Sequence, residues 1–133
     1  MMKKIVLLLS LLFIYSCTSE EEEQEEQGSH FQTTISPPEW IQGKWNNGQG
    51  TEFECTKSNI IWDSSGNIYK VTGEIWYYTI QDIDPEIVEK QTDTTYTLQY
   101  KVSASETRKF NFYKISDNKI ESKNFFKGIY TRK

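Results

Sequence analysis

Histidine is all but missing from this chain: the 133 residues include one, His30, and only two cysteines, Cys17 and Cys55. Without a His pair or a Cys cluster, a transition-metal centre has no ligands of the usual kind, and no His-activated nucleophile can be assembled. Strong helix formers are also scarce. Residues 36–133 hold one Leu (Leu98), one Ala (Ala104) and no Met, against 11 Ile, 10 Thr and 3 Val. An excess of basic charge is absent as well. The formal net charge is -4, and residues 36–133 balance 13 acidic against 13 basic side chains, so no electrostatic footprint for nucleic acid exists. No Gly-rich phosphate cradle, G-x-S-x-G elbow or EF-hand spacing occurs. The longest apolar run, Ile5 to Ile14 broken by Ser10, falls short of the ~20 residues a membrane-spanning helix needs.

That run, preceded by Lys3 and Lys4, has the layout of a secretory signal, a basic n-region followed by an apolar h-region. After it comes a stretch with six Glu and no Lys or Arg between Cys17 and Ile35, too poor in apolar residues to fold. The expected organisation is a signal peptide over residues 1–16, an acidic flexible tether over 17–35 and a single small domain over 36–133.

The domain reads as all-β. β-branched and aromatic residues dominate it, and Tyr96, Leu98, Tyr100 and Val102 alternate with Thr95, Thr97, Gln99 and Lys101, as Phe110 and Phe112 do with Lys109 and Asn111. Turn signals such as Asn46-Asn47-Gly48, Ser64-Ser65-Gly66-Asn67 and Ser116-Asp117-Asn118 recur at short spacing, which predicts an antiparallel meander. Strands are expected near residues 43–46, 51–56, 60–63, 68–72, 74–80, 87–91, 94–102, 107–115, 119–121 and 125–132. Ser36-Pro37-Pro38-Glu39 reads as a capping box, with Ser36 as N-cap of a short helical turn stopped by Gly43.

Candidate chemistry is sparse. Cys55, beside Phe53 on an alternating strand, reads as a small buried side chain rather than a reactive thiol. Asp82, Asp84, Glu86 and Glu89 cluster in one segment but read as a solvated loop. The aromatics are the remaining resource: Trp62, Trp76, Tyr78, Tyr96, Tyr100, Phe110 and Phe112, with Leu98, either line an apolar cup or constitute the core. No catalytic residue, metal site or cofactor is expected.

Two motifs carry a resemblance. Ile14-Tyr15-Ser16-Cys17 resembles the lipobox of bacterial lipoproteins, with Tyr15 bulkier than usual. It implies that Cys17 becomes the lipidated N-terminus and anchors the protein to a membrane. The acids that follow resemble a surface-export signal of Bacteroidetes lipoproteins, implying an outer-membrane lipoprotein exposed at the cell surface or facing the periplasm. Gly43-x-Trp45, at the start of a predicted strand after a short turn, resembles the G-x-W motif of lipocalins, in which a terminal Arg, here Arg132, packs on the motif Trp. The domain is much shorter than a full lipocalin, and Thr92-Asp93-Thr94 matches the second lipocalin motif only in part. It looks most like the small lipocalin-like lipoproteins of the Bacteroidetes, which implies a small antiparallel barrel. Two functions stay open: a carrier of a small hydrophobic ligand, or a non-enzymatic surface module with a filled barrel that contacts protein or glycan through its loops.

Overall fold

Alternating side chains put one face of each strand toward a common centre, and nine such strands follow one another in a computed structural model that describes residues 32–133. The expected signal peptide, and the expected tether from Cys17 through residue 31, lie outside the described residues. The strands are β1 (Gly43–Asn46), β2 (Thr51–Cys55), β3 (Ile60–Ser64), β4 (Asn67–Lys70), β5 (Val88–Gln91), β6 (Thr95–Lys101), β7 (Thr107–Ser116), β8 (Lys119–Ser122) and β9 (Gly128–Arg132). They form one antiparallel sheet in the order β4-β3-β2-β1-β9-β8-β7-β6-β5, curled into a half-barrel. The all-β class and the antiparallel meander are as the sequence predicts. Pairing of β1 with β9 joins the two ends of the meander, so the sheet's free edges are β4 and β5.

Between those edges the sequence reading needs correction. Residues 74–80, expected as a strand, belong to the helix α1 (Val71–Thr79). Its composition is β-like, but its spacing is helical: Val71 and Ile75 are fully buried, Tyr78 packs against the core, and Glu74 points the same way. Trp76, Tyr77 and Ile80 made the segment look apolar on both parities, and they face solvent at 61%, 53% and 58% exposure. A nine-residue helix without a side-chain N-cap, without a basic residue in its last turn and with Gly73 in its interior is unstable in isolation. Tertiary contacts hold it.

The turn before β1 also differs in detail. Glu39–Ile41 is a single 3-10 turn whose N-cap position is Pro38, with no side-chain cap. Pro38 has no N–H for the Ser36 side chain to cap, and the turn starts only after it. Ser36 instead bonds outward, donating its backbone N–H to Glu89 Oε2 at 2.8 Å and accepting from Gln91 Nε2 at 3.2 Å.

Register builds the core. Trp45 sits opposite Phe53, Phe53 opposite Trp62, and Trp62 opposite Tyr69 across β1 to β4, while Tyr96 faces Phe112 and Leu98 faces Phe110 across β6 and β7. These rows place aromatic rings from both halves of the sheet in one cluster.

Candidate functional site

The interior is the first place to look. Trp62, Tyr96, Leu98, Tyr100, Phe110 and Phe112 are all 0% exposed and lie together in the core. Their side chains fill the space between the walls. Trp62 stacks on Phe126 at 4.6 Å between centroids and packs on Phe53 at 4.4 Å, and Phe110 meets Phe125 edge-on at 5.0 Å. Trp76 and Tyr78 do not join them, because α1 turns Trp76 into solvent and leaves Tyr78 half-buried at its base. Grooves of about 180, 220 and 320 Å³ lie elsewhere on the domain, and none of the expected ligand-lining residues borders them. The largest runs over the outer face of β5 to β7, between Lys90, Thr97, Gln99 and Lys109.

Gly43, Trp45 and Arg132 form one corner. Trp45 is 0% exposed and donates from Nε1 to the Ile41 carbonyl at 2.8 Å. The Arg132 guanidinium lies 4.3 Å from its ring centre, a cation over an indole face. Arg132 Nη1 donates to the Gln42 carbonyl at 2.7 Å, Nη2 to the Trp40 carbonyl at 3.0 Å and Nε to the Asp117 carbonyl at 3.2 Å. Gly43 has a φ of +127°, and a Cβ there would lie 2.5 Å from Arg132 Nη1, so only glycine leaves room for the guanidinium.

A second corner was not anticipated from the sequence. Glu74 of α1 reaches into the half-barrel and meets three walls. Arg108 of β7 donates from Nη2 to Oε2 at 2.8 Å and from Nε to Oε1 at 3.1 Å; Tyr100 of β6 donates to Oε1 at 2.7 Å; Tyr69 of β4 donates to the same oxygen. The two tyrosine hydroxyls are 2.8 Å apart, and the guanidinium lies 5.1 Å from the Phe125 ring centre. Burial opposes the charge on Glu74, but the hydrogen bonds from Arg108, Tyr69 and Tyr100 outweigh it and hold the carboxyl below its usual range. Bonding to that carboxylate raises Arg108, while burial is the first cause raising both phenols, followed by the hydrogen bond to Glu74 at Tyr69 and by the Tyr69 hydroxyl at Tyr100. At neutral pH the site is therefore a carboxylate, a guanidinium and two neutral phenols. Two signals in the sequence mark it: Glu74 is the lone charge in residues 71–81, and Arg108 is one of only two arginines in the chain.

The remaining candidates have structural partners. Cys55 is buried, and burial pushes its thiol up, away from the reactive thiolate. The acids of residues 82–89 are drawn apart: Glu86 pairs with Lys101 at 2.6 Å, Glu89 accepts from Tyr96 at 2.6 Å, and Asp84 caps the Glu86 N–H at 2.9 Å. Among the described residues no group of three His, Cys, Asp or Glu side chains converges on a metal position, and no helix is long and apolar enough to cross a membrane. Searches of protein-family models, of curated proteins and of solved structures find no match to this chain.

Proposed function

We propose that this protein is a lipid-anchored, non-enzymatic interaction module, tethered at the bacterial surface through Cys17, with a filled half-barrel as scaffold and a partner protein or glycan bound on its outer surface. The observation that carries the reading is the packing of Trp62, Tyr96, Leu98, Tyr100, Phe110 and Phe112, all 0% exposed and the five aromatics stacked ring on ring, beside a helix that turns Trp76 and Tyr77 outward. A carrier in its loaded-ready form keeps a pocket of about 300 Å³ or more among its apolar residues. Here the rings occupy that space. Exposed Trp and Tyr in one patch are the side chains that most often anchor protein and glycan contacts, because they bury a large area at little cost in rotamer entropy.

Two experiments test the two halves of this proposal. Cys17→Ser is expected to abolish palmitate labelling; undiminished labelling defeats the anchor. Full-chain protein displayed on cells is expected to bind a subset of extracellular glycans or matrix proteins on an array, with loss on Trp76→Ala/Tyr77→Ala and an unchanged circular dichroism spectrum. Binding that survives the double substitution removes α1 from the contact surface.

A further inference from the structure

The outer face of β5, β6 and β7 carries a groove of about 320 Å³ whose lining holds two lysines, Lys90 and Lys109, and no acid. We propose that this groove binds a segment of an acidic polysaccharide, a chain of uronate sugars, with the two ammonium groups on sugar carboxylates and the neutral side chains between them on sugar hydroxyls. This site is separate from the α1 patch, which contributes no residue to it, so the proposal goes beyond the reading above and does not rest on that patch.

Sheet register builds the site. Thr97 of β6 pairs with Lys90 of β5 and with Asn111 of β7, and Gln99 pairs with Val88 and with Lys109. Alternation puts all six side chains on one face, in two adjacent rows of three, while Tyr96, Leu98 and Tyr100 point to the core. Lys90 and Lys109 stand at opposite corners, two strands and two residues apart, which puts about 12 Å between their Cα atoms. Neither has a carboxylate partner among the described residues. The ion pair nearest in register, Lys101 with Glu86, closes on itself outside the lining, and Glu89, beside Lys90 in sequence, is engaged with Ser36 and Tyr96. On β8, Lys123 bonds through its backbone N–H to the Asn111 carbonyl and holds its ammonium 4.4 Å from the Tyr113 ring centre, so a third cation flanks the same face.

The lining also selects among anions. Two lysines this far apart do not converge on one small ion, so the ligand has to carry separated charges. Thr97, Gln99 and Asn111, set between them, each both donate and accept hydrogen bonds, as hydroxyls do. The Asn111 Oδ1 is enclosed and has no hydrogen-bond partner, so a hydroxyl that meets it as the amide turns toward the groove gains a bond without breaking one. Carboxylates and sulfates have no proton to give there, which favours a uronate chain with free hydroxyls over a densely sulfated one. A peptide finds less to hold. Val88 is the single apolar side chain of the lining, and β6 beneath the groove is hydrogen-bonded on both sides, so the groove offers neither an apolar anchor pocket nor a strand to extend. Nor does an aromatic ring line it for the stacking that single-stranded nucleic acid uses.

The test titrates oligogalacturonate calorimetrically into the full chain held in phosphatidylcholine nanodiscs, with empty nanodiscs as the blank. Fully methyl-esterified oligogalacturonate, which keeps the hydroxyls and loses the charge, and dextran sulfate, which carries charge in place of hydroxyls, are the controls. Oligogalacturonate is expected to bind more tightly than either, with an affinity that falls as salt rises. Lys90→Gln/Lys109→Gln should weaken it about five- to tenfold, as two exposed ion pairs lost, and Lys90→Glu/Lys109→Glu should abolish it. Lys44→Gln/Lys57→Gln makes the same change in net charge elsewhere on the surface and should leave the affinity unchanged. Trp76→Ala/Tyr77→Ala should do so too, which separates this site from the α1 patch. No binding of oligogalacturonate by the folded protein overturns the proposal, as does equal binding of its methyl ester or of dextran sulfate. So does a loss in Lys44→Gln/Lys57→Gln as large as that in Lys90→Gln/Lys109→Gln.

Discussion

The chain has two arginines, and they hold two corners of the same half-barrel in different ways. Arg132 bonds three backbone carbonyls, those of Trp40, Gln42 and Asp117, and covers the Trp45 ring. Its partners are backbone carbonyls of the turn that feeds β1 and of the tight turn between β7 and β8, so none of them can leave without disturbing the sheet's own connections. Arg108 instead grips a side chain, Glu74, carried by a helix that depends on that grip. Two sites of similar chemistry thus differ in what happens when they open. One corner is a seam of the fold; the other is a latch.

The comparison can be broken from either side. The largest effect is expected at the seam, where Trp45→Ala should cost about 3 to 5 kcal/mol in a denaturant titration, as a fully buried aromatic lost from the core. Arg132→Ala follows at about 2 to 4 kcal/mol, combining the stacked cation with its hydrogen bonds to carbonyls. A loss confined to α1 after either substitution would contradict the assignment of this corner to the global fold.

At the latch, Arg108→Met should cost about 1.5 to 3 kcal/mol, the range for bonds to a charged group, with the loss read first in the helical signal of α1. The same pair sets an acid dependence. The Glu74 carboxyl lies below its usual range in the folded protein, so its contribution is present above the unfolded carboxyl pKa of about 4.3 and is lost as pH falls through the lower folded value. A Glu74→Gln variant should lack that part of the acid destabilisation, and a pH-stability profile identical to that of the unaltered protein would show that Glu74 does not supply it. The smallest effect goes the other way. A Cβ added at Gly73 meets only Lys70 Cβ, at an ordinary 3.5 Å, so Gly73→Ala should stabilise α1 by about 0.8 to 1 kcal/mol and raise the melting temperature slightly.

These two corners also separate what the sequence made legible from what it hid. The strands could be read because alternation and turn residues are local: Tyr96 to Val102 and Asn46-Asn47-Gly48 carry their meaning within a few residues. The Trp45 corner was anticipated through a motif and a terminal arginine. Helix α1 was not, because Val71, Thr72, Ile75 and Thr79 have strand preferences, and its helicity comes from packing that no local window contains. The latch was hidden for a related reason: Glu74 and Arg108 are 34 residues apart and meet only once the meander curls. Parity assigned Tyr96, Leu98, Tyr100, Phe110 and Phe112 to the interior, yet parity says which face a residue takes and nothing about whether rings from opposite walls leave a void between them.

Native-state hydrogen exchange of the full chain, followed separately for the amides of Val71–Thr79 and for the paired β1 and β9, tests the seam-and-latch account most directly. The account predicts that α1 exchanges through a local opening well below the global unfolding free energy, and that Glu74→Gln accelerates α1 while leaving β1 and β9 unchanged. Exchange of α1 in step with β1 and β9, in both proteins, would contradict it.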